Sequence, residues 1–255
     1  MSKLLIGGHI HLLKYMLSIG TPLFPFICSM AARGGQLDTI KWAREEGCPW
    51  DFWSCLEAAR IGDLSLLKWL RSNGCEWDGS SVCAAAASNG HLELLQWARE
   101  NGCEWNEFTC VRAARGGHLD VLRWARSNLC PWSPETCAMA ARGGHLEILK
   151  YARENGCEWS ASTCSSAAEG GHLHVLKWAR ENGCEWSSYT CSDAAQEGHL
   201  EVLKWARENG CEWDYETCSN AAKHSHWEVL KWAVENGCET DFMTRMIALR
   251  NGIVL

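Results

Sequence analysis

The chain has no long apolar run. Although 47% of its 255 residues are hydrophobic, nowhere do roughly 18 of them follow one another, so no segment reads as a helix that crosses a bilayer. It also lacks an excess of basic charge. With 24 Lys and Arg against 31 Asp and Glu, the formal charge is -7. An acidic field of that kind attracts neither nucleic acid nor an anionic lipid surface. Missing too are the short catalytic signatures G-x-G-x-x-G, G-x-x-x-x-G-K-[ST], H-E-x-x-H and G-x-S-x-G. Serine, histidine and carboxylates recur in open rows instead of converging on one pocket, so neither an enzyme nor a cofactor nor a small-molecule substrate is expected. The opening segment MSKLLIGGHIHLLKYMLSIG resembles a secretory leader only briefly, because His9, His11 and Lys14 interrupt its apolar stretch. Read as structure, it places the 16 cysteines in a reducing compartment, where thiols stay free.

What is present is repetition. The leucine of Gly-His-Leu and its variants recurs at Leu37, Leu64, Leu92, Leu119, Leu146, Leu173 and Leu200, continues at Trp227 and extends back to Ile10, with a spacing of 27 residues broken once by 28. A period of this size sustained along a chain marks a stack of small structural units. One repeat, Ser160 to Trp186, reads SASTCSSAAEGGHLHVLKWARENGCEW. Thr163, Cys164, Ala167 and Ala168 predict a first helix of about two turns, with Ser162 or Thr163 as N-cap and Gly170-Gly171 as its stop. His172 to Asn182 predict a second helix with Leu173, Leu176 and Ala179 on its apolar face, Lys177, Arg180 and Glu181 on its wet face, and Gly183 at its end. Two helices this short cannot bury an apolar face alone and must stack on neighbours.

Cys191, Ala194-Ala195, Gly198-His199, Leu200-Glu201-Val202-Leu203 and Gly210-Cys211-Glu212-Trp213-Asp214 stand in the order and spacing of an ankyrin repeat, which the chain resembles along essentially its whole length. The resemblance implies an all-α, ankyrin-like solenoid of about nine helix-turn-helix repeats. It departs from the family in length, 27 residues against about 33. The shortfall lies where ankyrin proteins carry a projecting hairpin, so little or no β-hairpin is expected. The array is read as one domain over 1–255: a partial repeat at 1–20, eight repeats over 21–240 and a partial repeat at 241–255, the half units at both ends suiting a piece of a longer assembly. Short Cys/Trp-rich arrays resemble those of large DNA viruses and protists, which implies a cytoplasmic protein, in host cytoplasm if viral.

Recurring residues are scaffold. One cysteine row (Cys28, Cys55, Cys83 and their successors) and a second (Cys48, Cys75, Cys103 and theirs) are core fillers by type. Zinc needs closely grouped ligands such as C-x2-C, whereas cysteines seven or eight residues apart are the nearest here. The histidines of the Gly-His turn lie one stacked helix apart, about 10 Å, too far to share an ion. No metal is expected. The tryptophan rows read as packing between repeats.

Residues that vary between repeats are the candidates for recognition. After Cys-x-Trp the connecting loop carries Phe108, Tyr189 and Tyr215, and after Ala-Ala the first helix carries Arg60, Arg115 and Arg142. In ankyrin proteins the loop and first-helix side form the binding face, so these six are expected to meet a protein partner, the arginines meeting acidic groups and the aromatics acting as apolar anchors. The chain is read as a monomeric protein-binding module, the alternative being a spacer or the substrate-receptor arm of an adaptor complex.

Overall fold

The computed structural model describes residues 6–19 and 26–254. Residues 1–5, 20–25 and 255 lie outside the described residues, and with them the expected boundary at 20/21. Among the described residues there are 18 helices and no strand.

The chain forms two compact units, Met1–Pro131 and Trp132–Leu255. In the N-terminal unit the first helices of the repeats are Ile27–Arg33, Phe52–Ile61, Gly79–Ser88 and Glu107–Gly116. The second helices are Leu37–Glu45, Leu64–Ser72, Leu92–Glu100 and Leu119–Ser127, preceded by Ile10–Ser18. In the C-terminal unit the first helices are Pro134–Arg142, Ala161–Glu169, Ser188–Gln196, Tyr215–Lys223 and Phe242–Arg250. The second helices are Leu146–Glu154, Leu173–Glu181, Leu200–Glu208 and Trp227–Glu235. Within each unit every first helix packs on the next first helix and on the second helix of its own repeat. Small residues allow that approach on both sides: Cys55, Ala58, Ala59, Cys83, Ala86 and Ala87 are fully buried.

The second helix buries Val175, Leu176 and Ala179, a face turned by one residue from the expected one, and Leu173 is left half-buried. Val175 and Leu176 are fully buried, whereas Leu173 lies in the first turn beside the Gly-His corner. That corner is built as expected: Gly171 takes φ +74° and Gly183 φ +81°, the left-handed conformation that ends each helix.

The connection after the second helix is a tied turn with no hairpin. The Cys184 backbone N–H donates to Ala179 O at 2.9 Å. Arg180 Nη1 donates to Cys184 O at 2.5 Å, and its guanidinium lies 4.2 Å over the ring of Trp186. The Trp186 ring meets Trp205 of the next repeat edge-on, with centroids 5.9 Å apart. The same pair recurs as Trp50–Trp69, Trp77–Trp97 and Trp105–Trp124 in the N-terminal unit, and as Trp159–Trp178 and Trp213–Trp232 in the C-terminal unit. The tryptophan rows are therefore inter-repeat packing, and Arg180, expected on a wet face, is half-buried as the clamp of the turn.

Candidate functional site

The aromatic candidates stand on the first helices, a correction to the loop in which they were expected. Asn106 and Asp214 are N-caps in extended conformation. Asn106 Oδ1 accepts the Phe108 N–H at 3.1 Å, and Asp214 Oδ1 accepts the Glu216 N–H at 2.9 Å. Satisfying those end amides starts the helix directly after the cap, so Phe108, Tyr189 and Tyr215 fall in its first turn. Ser160 is the N-cap residue of Ala161–Glu169 by its extended backbone, without a side-chain hydrogen bond to the helix, two residues ahead of the expected Ser162. Phe108 is 47% exposed, Tyr189 62% and Tyr215 49%. Phe52, Trp53 and Phe242 stand in the same first turn of their helices and are also exposed. Phe242 was not among the candidates, yet its place directly after the Asp241 cap, as Tyr215 follows Asp214, was the signal for it.

Arg60, Arg115 and Arg142 are all exposed near the ends of their first helices. Arg60 Nη2 pairs with Glu57 at 2.8 Å within its own helix. Arg142 pairs with Glu169 of the next repeat. In the N-terminal unit Leu56, Arg60, Ala84, Ala85 and Arg112 line a shallow groove of about 300 Å³, floored by the alanines and walled by the two arginines. In the C-terminal unit the same face carries Asp193. Burial, then the neighbouring Glu169 carboxylate, pushes its carboxyl up to about 6. The structure thus gathers Arg60 with Arg112 in the N-terminal unit, and Arg142 with Glu169 and Asp193 in the C-terminal unit.

The histidines do more than shape the corner. His91 Nε2 bonds Arg60 O at 3.1 Å, His118 Nε2 bonds Ser88 O at 3.2 Å and His199 Nε2 bonds Glu169 O at 3.1 Å. Each ring ties a Gly-His corner to the end of the preceding first helix. His172 and His174 lie 6.0 Å apart; burial, then His174, lowers the His172 pKa.

All 16 cysteines are buried and unbridged. The partners that touch are not the neighbours seven or eight residues apart but the two within one repeat, 20 residues apart, which the helix-turn-helix folds onto each other. Cys83 Sγ donates to Cys103 Sγ at 3.1 Å. The corresponding pairs, Cys28 with Cys48, Cys55 with Cys75, Cys110 with Cys130, Cys137 with Cys157, Cys164 with Cys184, Cys191 with Cys211 and Cys218 with Cys238, bear on each other's ionisation. No group of three or more potential metal ligands occurs among the described residues, and no described helix is long and apolar enough to cross a membrane.

The family model of ankyrin repeats (many copies) matches residues 83–126. Among solved structures, the crystal structure of the human ASB11 ankyrin repeat domain is similar, with 18% sequence identity, a TM-score of 0.49 and coverage of 62% of this chain and 84% of that one. No curated protein matches. Repeats of this family are generally protein-interaction modules. Residues 83–126 are ankyrin repeats, and the repeats on either side carry the same residues at the same spacing.

Proposed function

We propose that each compact unit binds a protein partner through the first turn and outer face of its first helices: Arg60, Phe108 and Arg115 in the N-terminal unit, Arg142, Tyr189 and Tyr215 in the C-terminal unit. One observation carries the reading. Among the described residues every exposed aromatic except Tyr15 stands at the start of a first helix, whereas the recurring tryptophans are taken up in packing. A scaffold gains nothing from rings in water at the same helix turn. A recognition face does, because Phe and Tyr bury much area while losing few rotamers.

Arg60 and Arg142 already hold carboxylates, so an acidic partner exchanges with Glu57 or Glu169 and gains geometry more than charge. This module acts as a monomer in a reducing compartment, by binding and not by catalysis.

The test is an affinity capture from lysate with the wild-type chain beside a variant in which these six residues are alanine, its helicity checked by circular dichroism. The expected result is a protein retained by the wild type and lost from the variant, each single substitution weakening it about tenfold, or 1.4 kcal/mol. Equal retention by both chains overturns the assignment of the face.

A further inference from the structure

We propose that the two cysteines of each repeat are a latent disulfide, a thiol pair that a low-molecular-weight disulfide of the glutathione type converts into an intra-repeat bridge while the chain stays folded. Three observations support this. The first is proximity. Cys83 and Cys103 hold their sulfurs 3.1 Å apart, about 1 Å from the covalent distance of roughly 2.05 Å; Cys164 Sγ lies 3.9 Å from Cys184 O in the equivalent place, and in every repeat the two cysteines stand 20 residues apart and bear on each other's ionisation.

The second is the refusal of substitutes. In eight copies neither row departs from cysteine, and no repeat keeps one cysteine without the other, while the core position of Leu94 is Val121, Ile148 and Val175 in the next three repeats. The buried Ala-Ala pair is equally constant, so the weight lies on the two cysteines being kept together.

The third is an orphaned donor beside most pairs. The hydroxyls of Ser54, Thr109, Thr163, Thr190 and Thr217 are buried with no hydrogen-bonding partner of their own, and each immediately precedes the first cysteine of its repeat. In coupled pairs the second cysteine is the better placed nucleophile, its partner's S–H holding Cys75, Cys184 and Cys238 below the ordinary thiol value; in the first repeat burial raises both thiols, Cys48 and, up to about 12, Cys28.

The exchange balances in two steps. The second-row thiolate attacks one sulfur of the small disulfide, whose S–S bond breaks and releases one thiol, leaving a mixed disulfide. The first-row cysteine gives up its proton and attacks the second-row sulfur, releasing the other small thiol. The protein loses two hydrogens and two electrons per pair, and the oxidant becomes two thiols. Each bridge fastens the turn after the second helix to the first helix of the same repeat and closes a loop within one repeat. Because the sulfurs are buried, local opening admits the oxidant. Cys238 at 5% and Cys48 at 3% exposure are the most open cysteines, so their pairs react first.

The test incubates the full chain with oxidised glutathione without denaturant, then quenches with acid, alkylates the remaining thiols and reads intact mass and bridged peptides. The expected result is a loss of two hydrogens for each pair, bridges only between cysteines 20 residues apart, and a raised thermal midpoint that a reductant reverses. In Cys83→Ala, Cys103 stays unbridged and the other pairs close. Thiols that all remain alkylatable, stable glutathione adducts without bridges, or bridges across repeats such as Cys103 with Cys110 overturn the proposal; the wild-type mapping decides it even if the variant does not fold.

Discussion

Leu129 holds φ +65° at the turn where Gly102, Gly156 and Gly183 hold φ near +81° in other repeats. A side chain in that left-handed region is disfavoured by roughly 1–2 kcal/mol, and Leu129, 87% exposed, gains no burial in return. Leu129→Gly is therefore expected to raise stability by about 1 kcal/mol, the remainder being offset by glycine's larger loss of backbone freedom. A urea midpoint that stays level or falls refutes the strain. Asp193 gives a pH signature. Its carboxyl is raised from 3.8 to about 6 by burial and by Glu169, with the Arg142 guanidinium and a Ser165 hydrogen bond acting the other way and Glu197 adding to the rise. The folded state thus binds this proton more tightly than the unfolded chain, and stability falls as pH rises from about 4 to about 6. The ceiling is about 3 kcal/mol at 1.36 kcal/mol per unit; solvent at this half-buried site reduces it. Asp193→Asn should melt higher than the wild type at pH 8 and equally at pH 4, and a constant difference at both pH values counts against this origin.

At the scale of helices, what the repeat period encodes is legible and what the turn-back creates is not. The glycines and the apolar spacing mark two short helices per repeat, and the residues missing from the connection mark the absent hairpin, because these are local signals. The start of each first helix is blurred by its own chemistry: Ser160, Ser162 and Thr163 all have a hydroxyl able to cap, and only the extended backbone of Ser160 distinguishes it. That two-residue offset moved Phe108, Tyr189 and Tyr215 from loop to helix. Arg180 reads as a surface cation from its heptad-like position, since nothing nearby in sequence announces that Cys184 O and the Trp186 ring will lie beneath it. The cysteine pairs are hidden for the same reason: along the chain the shortest spacing is seven, while in space the helix-turn-helix brings together residues 20 apart. Which of the varied positions meets a partner is set by that partner's surface, which no periodicity in this chain contains.

At the scale of the molecule, contacts within each unit run between neighbouring helices, so stability accumulates interface by interface instead of residing in one centre. This has a measurable consequence. Leu67 is fully buried under the first helices of the N-terminal unit, and Leu67→Ala removes about 3 kcal/mol, within the 2–5 kcal/mol range for such truncations. In a globular core that loss would be shared by every element, because all open together. In a stack it weakens the repeat that contains it and the interfaces that repeat makes. Amide hydrogen exchange in the variant is accordingly expected to quicken most in Phe52–Ile61 and Leu64–Ser72, next in Ile27–Arg33 and Gly79–Ser88, and least in Glu107–Gly116 and Leu119–Ser127. Equal acceleration across all of these helices would show that the N-terminal unit opens as one, with the coupling between its repeats stronger than the repeats themselves. A graded pattern would place the weaker link at the helix-to-helix interfaces, the same links that a closed thiol pair inside each repeat leaves untouched.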